Sequence, residues 1–181
     1  TDGVKPVAPQ LAEIDNLTRQ DLEDYLGKTF AYSSAFFSDG VALDEKDSEH
    51  FLYNLGQGGL GLSRDYYFDT DAKSIEIRKK YRDFIARQMA NFGVPVDVDK
   101  LYALEERMAK SFYPKEKLRD PHANYHKMSL EQVKQEFPGF DWDAFLTARG
   151  ATAAKFMNVA QPEAIAESIS IMNDTDFNLI K

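Results

Sequence analysis

Two long apolar patterns with the period of an α-helix, set back to back between residues 77 and 112, constrain this chain more than anything else in it. The first puts Ile77, Tyr81, Phe84, Ile85, Gln88 and Phe92 on one side, and Gly93 followed by Pro95 ends it. The second puts Leu101, Leu104, Met108 and Phe112 on one side and stops at Pro114. Residues recurring at i, i+3 and i+4 share a helix face. A glycine just past a helix accepts the left-handed backbone of a C-cap, and a proline cannot continue the helix. Together the patterns predict a two-helix hairpin.

The flanking signals are shorter. Leu11 and Ile14 stand at helical spacing within Pro6 to Asn16. Thr18 and Asp21 form an N-cap pair for a helix through Leu22, Tyr25, Leu26, Thr29 and Phe30. From Ala35 the pattern turns β-prone: Phe36, Phe37, Val41 and Leu43, then the polar run Asp44 to Glu49, then Phe51 to Leu55. Two such segments around a charged, exposed turn predict a β-hairpin. Gly56, Gly58, Gly59 and Gly61 then interrupt regular structure, permitting positive φ or a close backbone approach at Gly59 and Gly61.

Past the helical hairpin, Pro121 precedes a short polar turn. Ser129 with Gln132 is a capping box for a helix through Leu130, Val133 and Phe137, which Pro138-Gly139 ends. Asp141 caps a short helix carrying Trp142, Phe145 and Leu146. Phe156 to Ala160 is a brief strand or buried connector, and Pro162 begins a last helix through Ile165, Ile169 and Met172. With no internal repeat and no Gly/Ser/Pro linker, residues 1–181 are expected to form a single compact body, mainly α with one small β-hairpin.

Composition narrows the functional classes. Hydrophobic residues at 43% and aromatics at 13% suffice for a core, and 29% charged residues without low-complexity runs argue against disorder. A formal charge of −8 repels a phosphate backbone, and the longest basic run, Arg78-Lys79-Lys80, reads as a solvated helix face, so no nucleic-acid partner is expected. The absence of cysteine excludes disulfides, thiolate metal sites and cysteine nucleophiles. No apolar run approaches the ~20 residues of a membrane helix, so no membrane segment is expected in this chain. Thr1-Asp2-Gly3 opens without a starting methionine and Phe177-Asn178-Leu179-Ile180-Lys181 is apolar, so both ends are expected to be cuts.

His122 and His126 are four apart and would share a helix face suited to zinc, but Pro121 and Ser129 leave barely one turn there. No glutamate stands beside the first histidine, and His50 falls in the hairpin, so both histidines read as surface residues. The run Asp44 to Glu49 lacks the glycine and closing glutamate of a calcium loop. Gly56 to Gly61 lacks the lysine and the spacing of a phosphate cradle. No G-x-S-x-G frames a serine, and no carboxylate pair stands out. Asn16-Leu17-Thr18 and Asn173-Asp174-Thr175 match the glycosylation sequon and read as coincidence. From the residues alone no catalytic or metal residue emerges, and the substrate-binding residues are unknown.

Four ordered motifs carry a resemblance. Gly59-Leu60-Gly61-Leu62-Ser63-Arg64-Asp65-Tyr66-Tyr67-Phe68 resembles the G-L-G/F-L-P-x-R-D-Y-Y of neprilysin, endothelin-converting enzyme and bacterial PepO-type oligopeptidases. The usual proline is missing and Ser63 stands directly before Arg64, which shortens the turn. Upstream, Asp44-Glu45-Lys46-Asp47-Ser48 is similar to D-x-K-D/N-S. Downstream, Arg119-Asp120-Pro121 with Tyr125-His126-Lys127-Met128-Ser129-Leu130 resembles R-D/N-P followed by Y-N-K-M-T/S-L, with His126 in place of asparagine. Phe140-Asp141-Trp142-Asp143-Ala144-Phe145-Leu146 resembles F-x-W-x-x-F/Y-L, whereas Phe156 to Ile180 is a looser match.

The resemblance implies a fragment of a larger enzyme with two mainly α-helical domains around an internal cavity. In that family zinc is held by H-E-x-x-H and a downstream E-x-x-x-D, both far C-terminal to the region matched. H-E-x-x-H does not occur here, so no catalytic or zinc residue carries over, and zinc is expected only in the missing catalytic domain. The family gives this region the role of a lid that restricts the site to peptides. The implied partners are the catalytic domain of the same parent chain and peptide substrates. Within the motifs, Arg64 and Asp65 are expected to cap and pin the following helix while Tyr66, Tyr67 and Phe68 pack beneath it. A free-standing helical peptide-binding module without catalysis is the alternative. The lack of cysteine fits a bacterial member, and the expected location is the periplasm or cell surface, with the cytoplasm as the alternative.

Overall fold

The computed structural model describes residues 3–30 and 35–181; the reading of Thr1 and Asp2 lies outside them. In chain order the elements are α1 (Ala8–Asn16), α2 (Leu22–Thr29), β1 (Phe37–Asp44), β2 (Asp47–Gln57), α3 (Asp65–Phe68), α4 (Ala72–Phe92) and α5 (Val98–Ser111). They continue with α6 (Lys115–Leu118), β3 (Lys127–Ser129), α7 (Leu130–Glu136), α8 (Trp142–Ala148), β4 (Phe156–Val159), α9 (Pro162–Asp174) and α10 (Phe177–Ile180). The mainly helical class holds.

Local chemistry sets most helix ends. Thr18 and Asp21 form the expected capping box before α2, and Ser129 and Gln132 form another before α7. Asp71, Asp97 and Asp141 accept the N–H of Ser74, Lys100 and Ala144 and so start α4, α5 and α8. Gly93, at φ 71°, closes α4, as the sequence predicts.

The two-helix hairpin is present as α4 and α5, but its apolar face is only partly used. Ile85 is buried, whereas Phe84 and Phe92 stay 48% and 37% exposed. A helix of 21 residues flanked on one side by α3 and α5 offers more apolar positions than that contact covers.

The β-hairpin is half of a four-stranded sheet ordered β1-β2-β4-β3. β1 pairs antiparallel with β2, β2 parallel with β4, and β4 antiparallel with β3. Both hairpin strands run further into the polar segment than its composition suggests, reaching Asp44 and Asp47. Of the two readings open for Phe156 to Ala160, the strand is the one realised, as β4.

The core lies on one face of this sheet. Phe37, Leu55, Met157 and Val159 are fully buried there against Phe30, Trp142, Phe145 and Ile165. The rings of Phe30, Phe37, Phe140, Trp142 and Phe145 meet at centroid distances from 4.6 to 6.3 Å, mostly edge to face. Each contributes about 1.5–3 kcal/mol by leaving water. α2 and α8 pack so closely that a Cβ on Gly27 would sit 2.5 Å from Phe145 O. A smaller cluster of Tyr67, Tyr102 and Ala109 joins α3 to the helical hairpin.

Candidate functional site

Two of the four motifs meet at one junction, a third builds a second junction with α4 and α5, and the fourth lies in the core. At the first, the Asp44 side chain is 1% exposed. Its carboxylate accepts from Lys127 Nζ at 2.7 Å, Tyr125 OH at 2.8 Å and the Lys46 backbone N–H at 3.0 Å. Lys46 Nζ in turn lies 4.2 Å from the Tyr125 ring centroid. The hydrogen bond from Lys127, reinforced by the Lys46 N–H, holds the Asp44 carboxyl down to about 2. The expected exposed turn is therefore corrected at its first residue: Asp44 is buried because partners 81 and 83 positions later cover it.

The second junction is built around Arg64-Asp65-Tyr66-Tyr67. Arg64 Nε donates to Phe112 O at 3.0 Å and its guanidinium lies over the Phe68 ring, while Asp65 pairs with Lys115 Nζ at 2.8 Å. Tyr67 OH and Tyr81 OH donate to the two oxygens of Glu105 at 2.8 and 2.7 Å. Arg78 Nη1 donates to Tyr66 O and Asp69 O at 2.6 and 2.7 Å. Arg64 and Asp65 thus pin the motif to the end of α5, and the helix that follows is capped by Asp71 instead.

Tyr67 and Phe68 do pack inward, as expected. Gly59 takes φ 92°, and a Cβ on Gly61 would meet Tyr81 OH at 1.7 Å, so both glycine roles foreseen are found. Burial pushes the Glu105 carboxyl up, opposed by the two tyrosine hydroxyls. Burial and that neighbouring carboxylate push both phenols up, so they act as neutral donors.

A polar seam that the sequence did not disclose joins these junctions to the sheet. Asn158 accepts from the His126 N–H at 2.7 Å and donates to Asn54 Oδ1 at 3.0 Å and Asn124 O at 3.1 Å. Gln161 accepts from Gln57 N at 2.7 Å, and Gln57 exchanges two hydrogen bonds with the Tyr113 backbone at 2.7 and 3.2 Å. Isolated amide side chains carry no pattern in one dimension. Only the doublet of motifs around them signals this region.

The histidines do not converge. His122 stands exposed in a single 3-10 turn, and Tyr125 is already extended, so His122 and His126 do not share a helix face. His126 is half-buried, a correction to its reading as a surface residue: its Nδ1 lies 3.0 Å from Val159 O. His50 lies on β2 with Nδ1 2.8 Å from Asp47 Oδ2. Among the described residues no group of three or more His, Cys, Asp or Glu side chains could hold a metal ion, so the donor set here does not fit the zinc of the resembling family.

At the free end of the hairpin, a cleft of about 530 Å³ opens between β2 and the 151–155 loop, with Phe51, Tyr53, Ala154 and Phe156 in its walls. It contains no nucleophile paired with a base.

The model of the N-terminal region of peptidase family M13 matches residues 1–181. The chain belongs to peptidase family M13. This M13 region is 32% identical over 117 residues to human membrane metallo-endopeptidase-like 1, covering 57% of the chain and 15% of that protein. To rat endothelin-converting enzyme 1 it is 28% identical over 123 residues, 64% of the chain and 16% of that protein.

Its fold matches the Mycobacterium tuberculosis zinc metalloprotease ZMP1, solved with an inhibitor, at TM-score 0.90 and 27% identity, over 99% of this chain and 29% of that one. PepO from Lactobacillus rhamnosis HN001 shares the fold at TM-score 0.67 and 16% identity, over 96% of this chain and 31% of that one. The M13 region described here thus spans under a third of the proteins it matches. No helix among its described residues is long and apolar enough to cross a membrane.

Proposed function

We propose that this M13 region is the non-catalytic lid of a zinc-dependent metalloendopeptidase and restricts its site to peptide substrates. The observation that carries the reading is the match to a zinc metalloprotease over 99% of the chain, set beside a chain whose own side chains converge on ion pairs and hydrogen bonds. The carboxylates at the two junctions are committed to neighbouring side chains. Asp44 is satisfied by Lys127 and Tyr125, and Glu105 by two tyrosines. Such groups shape and stiffen a wall. Hydrolysis, and the zinc that supports it, belongs in this reading to the remaining part of the parent, which is the partner of this region. The periplasm or cell surface is the proposed location, supported by the word "membrane" in the name of the human relative.

The test compares peptide hydrolysis by the full-length parent and by this chain, each with and without a chelator. Unstructured peptides and a stably folded protein serve as substrates. The reading expects the parent alone to cut, the chelator to stop it, and the folded protein to be spared. Equal cleavage of peptides and folded protein by the parent would remove the lid role. Zinc-dependent cleavage by this chain alone would overturn the proposal and make His122 and His126 the first residues to replace. Peptide binding without cleavage, by chain and parent alike, would favour the binding-module reading.

A further inference from the structure

The register of β1 and β2 sets Phe37, Asp39, Val41 and Leu43 on one face with Leu55, Tyr53 and Phe51. At one end this face is core: Phe37 and Leu55 are fully buried and Tyr53 is 5% exposed. At the other end the same row continues uncovered, with Val41 66%, Leu43 53% and Phe51 68% exposed. Phe156, 50% exposed, lines the same cleft, though alternation from Met157 puts it on the other face of the sheet. Single exposed apolar residues are ordinary, but a core row that runs on bare past its covering helices is an interaction surface.

The backbone is open at the same place. β4 pairs only with Tyr53, Asn54 and Leu55 of β2, so within 47–52 Asp47, Phe51 and Leu52 are paired with β1 alone among the described residues and 48–50 fall in a register shift. Leu55 O accepts from Ala160 N at 2.8 Å, which shows that odd-numbered β2 residues aim their backbone groups toward β4. By alternation Phe51 aims its N–H and C=O into the cleft of about 530 Å³ beyond the start of β4. An unpaired edge beside apolar side chains accepts an added strand.

We propose that this edge of β2, with Val41, Leu43 and Phe51, receives an extended apolar segment from the rest of the parent polypeptide. The segment adds to the sheet in line with β4. This rests on reading the chain as one part of a longer M13 peptidase. The matched structure has more than two-thirds of its chain outside the region covered, ample to supply such a segment. Asp47, His50, Lys127 and Lys155 rim the cleft, but the row itself continues the domain core, the make-up of a permanent interface, which favours an intramolecular partner.

Amide hydrogen exchange read by mass spectrometry tests this in the full-length parent and in this chain. Residues 53–57, which β4 and Gln161 already hold, serve as the internal control. Residues 47–52 are expected to exchange about tenfold or more slowly in the parent than in the chain, with the control unchanged. In the parent, Phe51→Lys should return 47–52 toward fast exchange while leaving 53–57 protected. That arm decides the matter even where the separate chain proves unfolded.

Equal exchange of 47–52 in parent and chain, or no effect of Phe51→Lys, overturns the proposal. Protection in the chain that grows with its own concentration points to a second copy, and protection brought by added unstructured peptide points to substrate; either overturns the intramolecular occupant. Zinc-dependent hydrolysis by a parent whose 47–52 stays unprotected sinks only this proposal, whereas protection without hydrolysis sinks only the peptidase reading.

Discussion

Asp44 concentrates the residue-scale argument. Its carboxyl titrates near 2 in the folded chain, below the ordinary 3.8, because Lys127 and the Lys46 N–H favour the charged form. A carboxyl lowered by folding contributes stability above its unfolded value, and that contribution is lost as pH falls through the folded value. Asp44→Asn should therefore melt several degrees below the native sequence at neutral pH. The gap should close as pH drops from about 4 to about 2. Thermal melts across that range check it, and a gap independent of pH would show that packing, not charge, is what the substitution removes.

Two glycines offer a second contrast at this scale. Gly93 has φ 71° and open space where a Cβ would go, so Gly93→Ala should cost about 1 kcal/mol, the left-handed penalty alone. Gly59 has φ 92° and would place its Cβ 1.9 Å from Ala35 O, so Gly59→Ala should cost clearly more, about 3 kcal/mol. Equal losses in denaturant melts would refute the close approach.

At the scale of elements, the helical hairpin joins the rest of the molecule through α5, whose Met108 is buried in the main core beside Phe112, and through polar ties. Glu105 on α5 accepts from Tyr81 on α4 and Tyr67 on α3, so one side chain clamps three helices. Glu105→Ala leaves two hydroxyls unpaired and should cost about 2 kcal/mol, whereas Glu105→Gln, which keeps one acceptor, should cost about 1 kcal/mol or less. Burial raises the Glu105 carboxyl, so its charged form works against folding. The native sequence gives up stability as pH rises from the unfolded value toward the folded one, and Glu105→Gln should lack that decline. Arg107 ties α5 to α9 through Asp174, at 2.9 and 3.0 Å, and through Glu167. With side chains 31–51% exposed, that tie is worth only about 1 kcal/mol. The hairpin is thus held through α5, while α4 leaves Phe84 and Phe92 in the open.

At the scale of the molecule, the sheet and the helices across its core face form the stable body. Trp142, 1% exposed with Nε1–H donating to Phe137 O at 3.1 Å, is its centre. Trp142→Ala should cost about 3–5 kcal/mol and lower the global unfolding midpoint; a loss confined to local exchange around α8 would contradict a single core. The longer helices, their caps and the family are legible in one dimension. Caps and periodicity act over three or four residues, so Thr18 with Asp21, Ser129 with Gln132 and Gly93 are legible without any partner. The motifs of the family are legible as runs. That Asp44 is buried, that Glu105 is a clamp, and that the hairpin extends into four strands emerges only from the fold. Each depends on segments 24 to 104 positions apart meeting in space, and nothing local distinguishes a carboxylate that will be covered from one that stays in water.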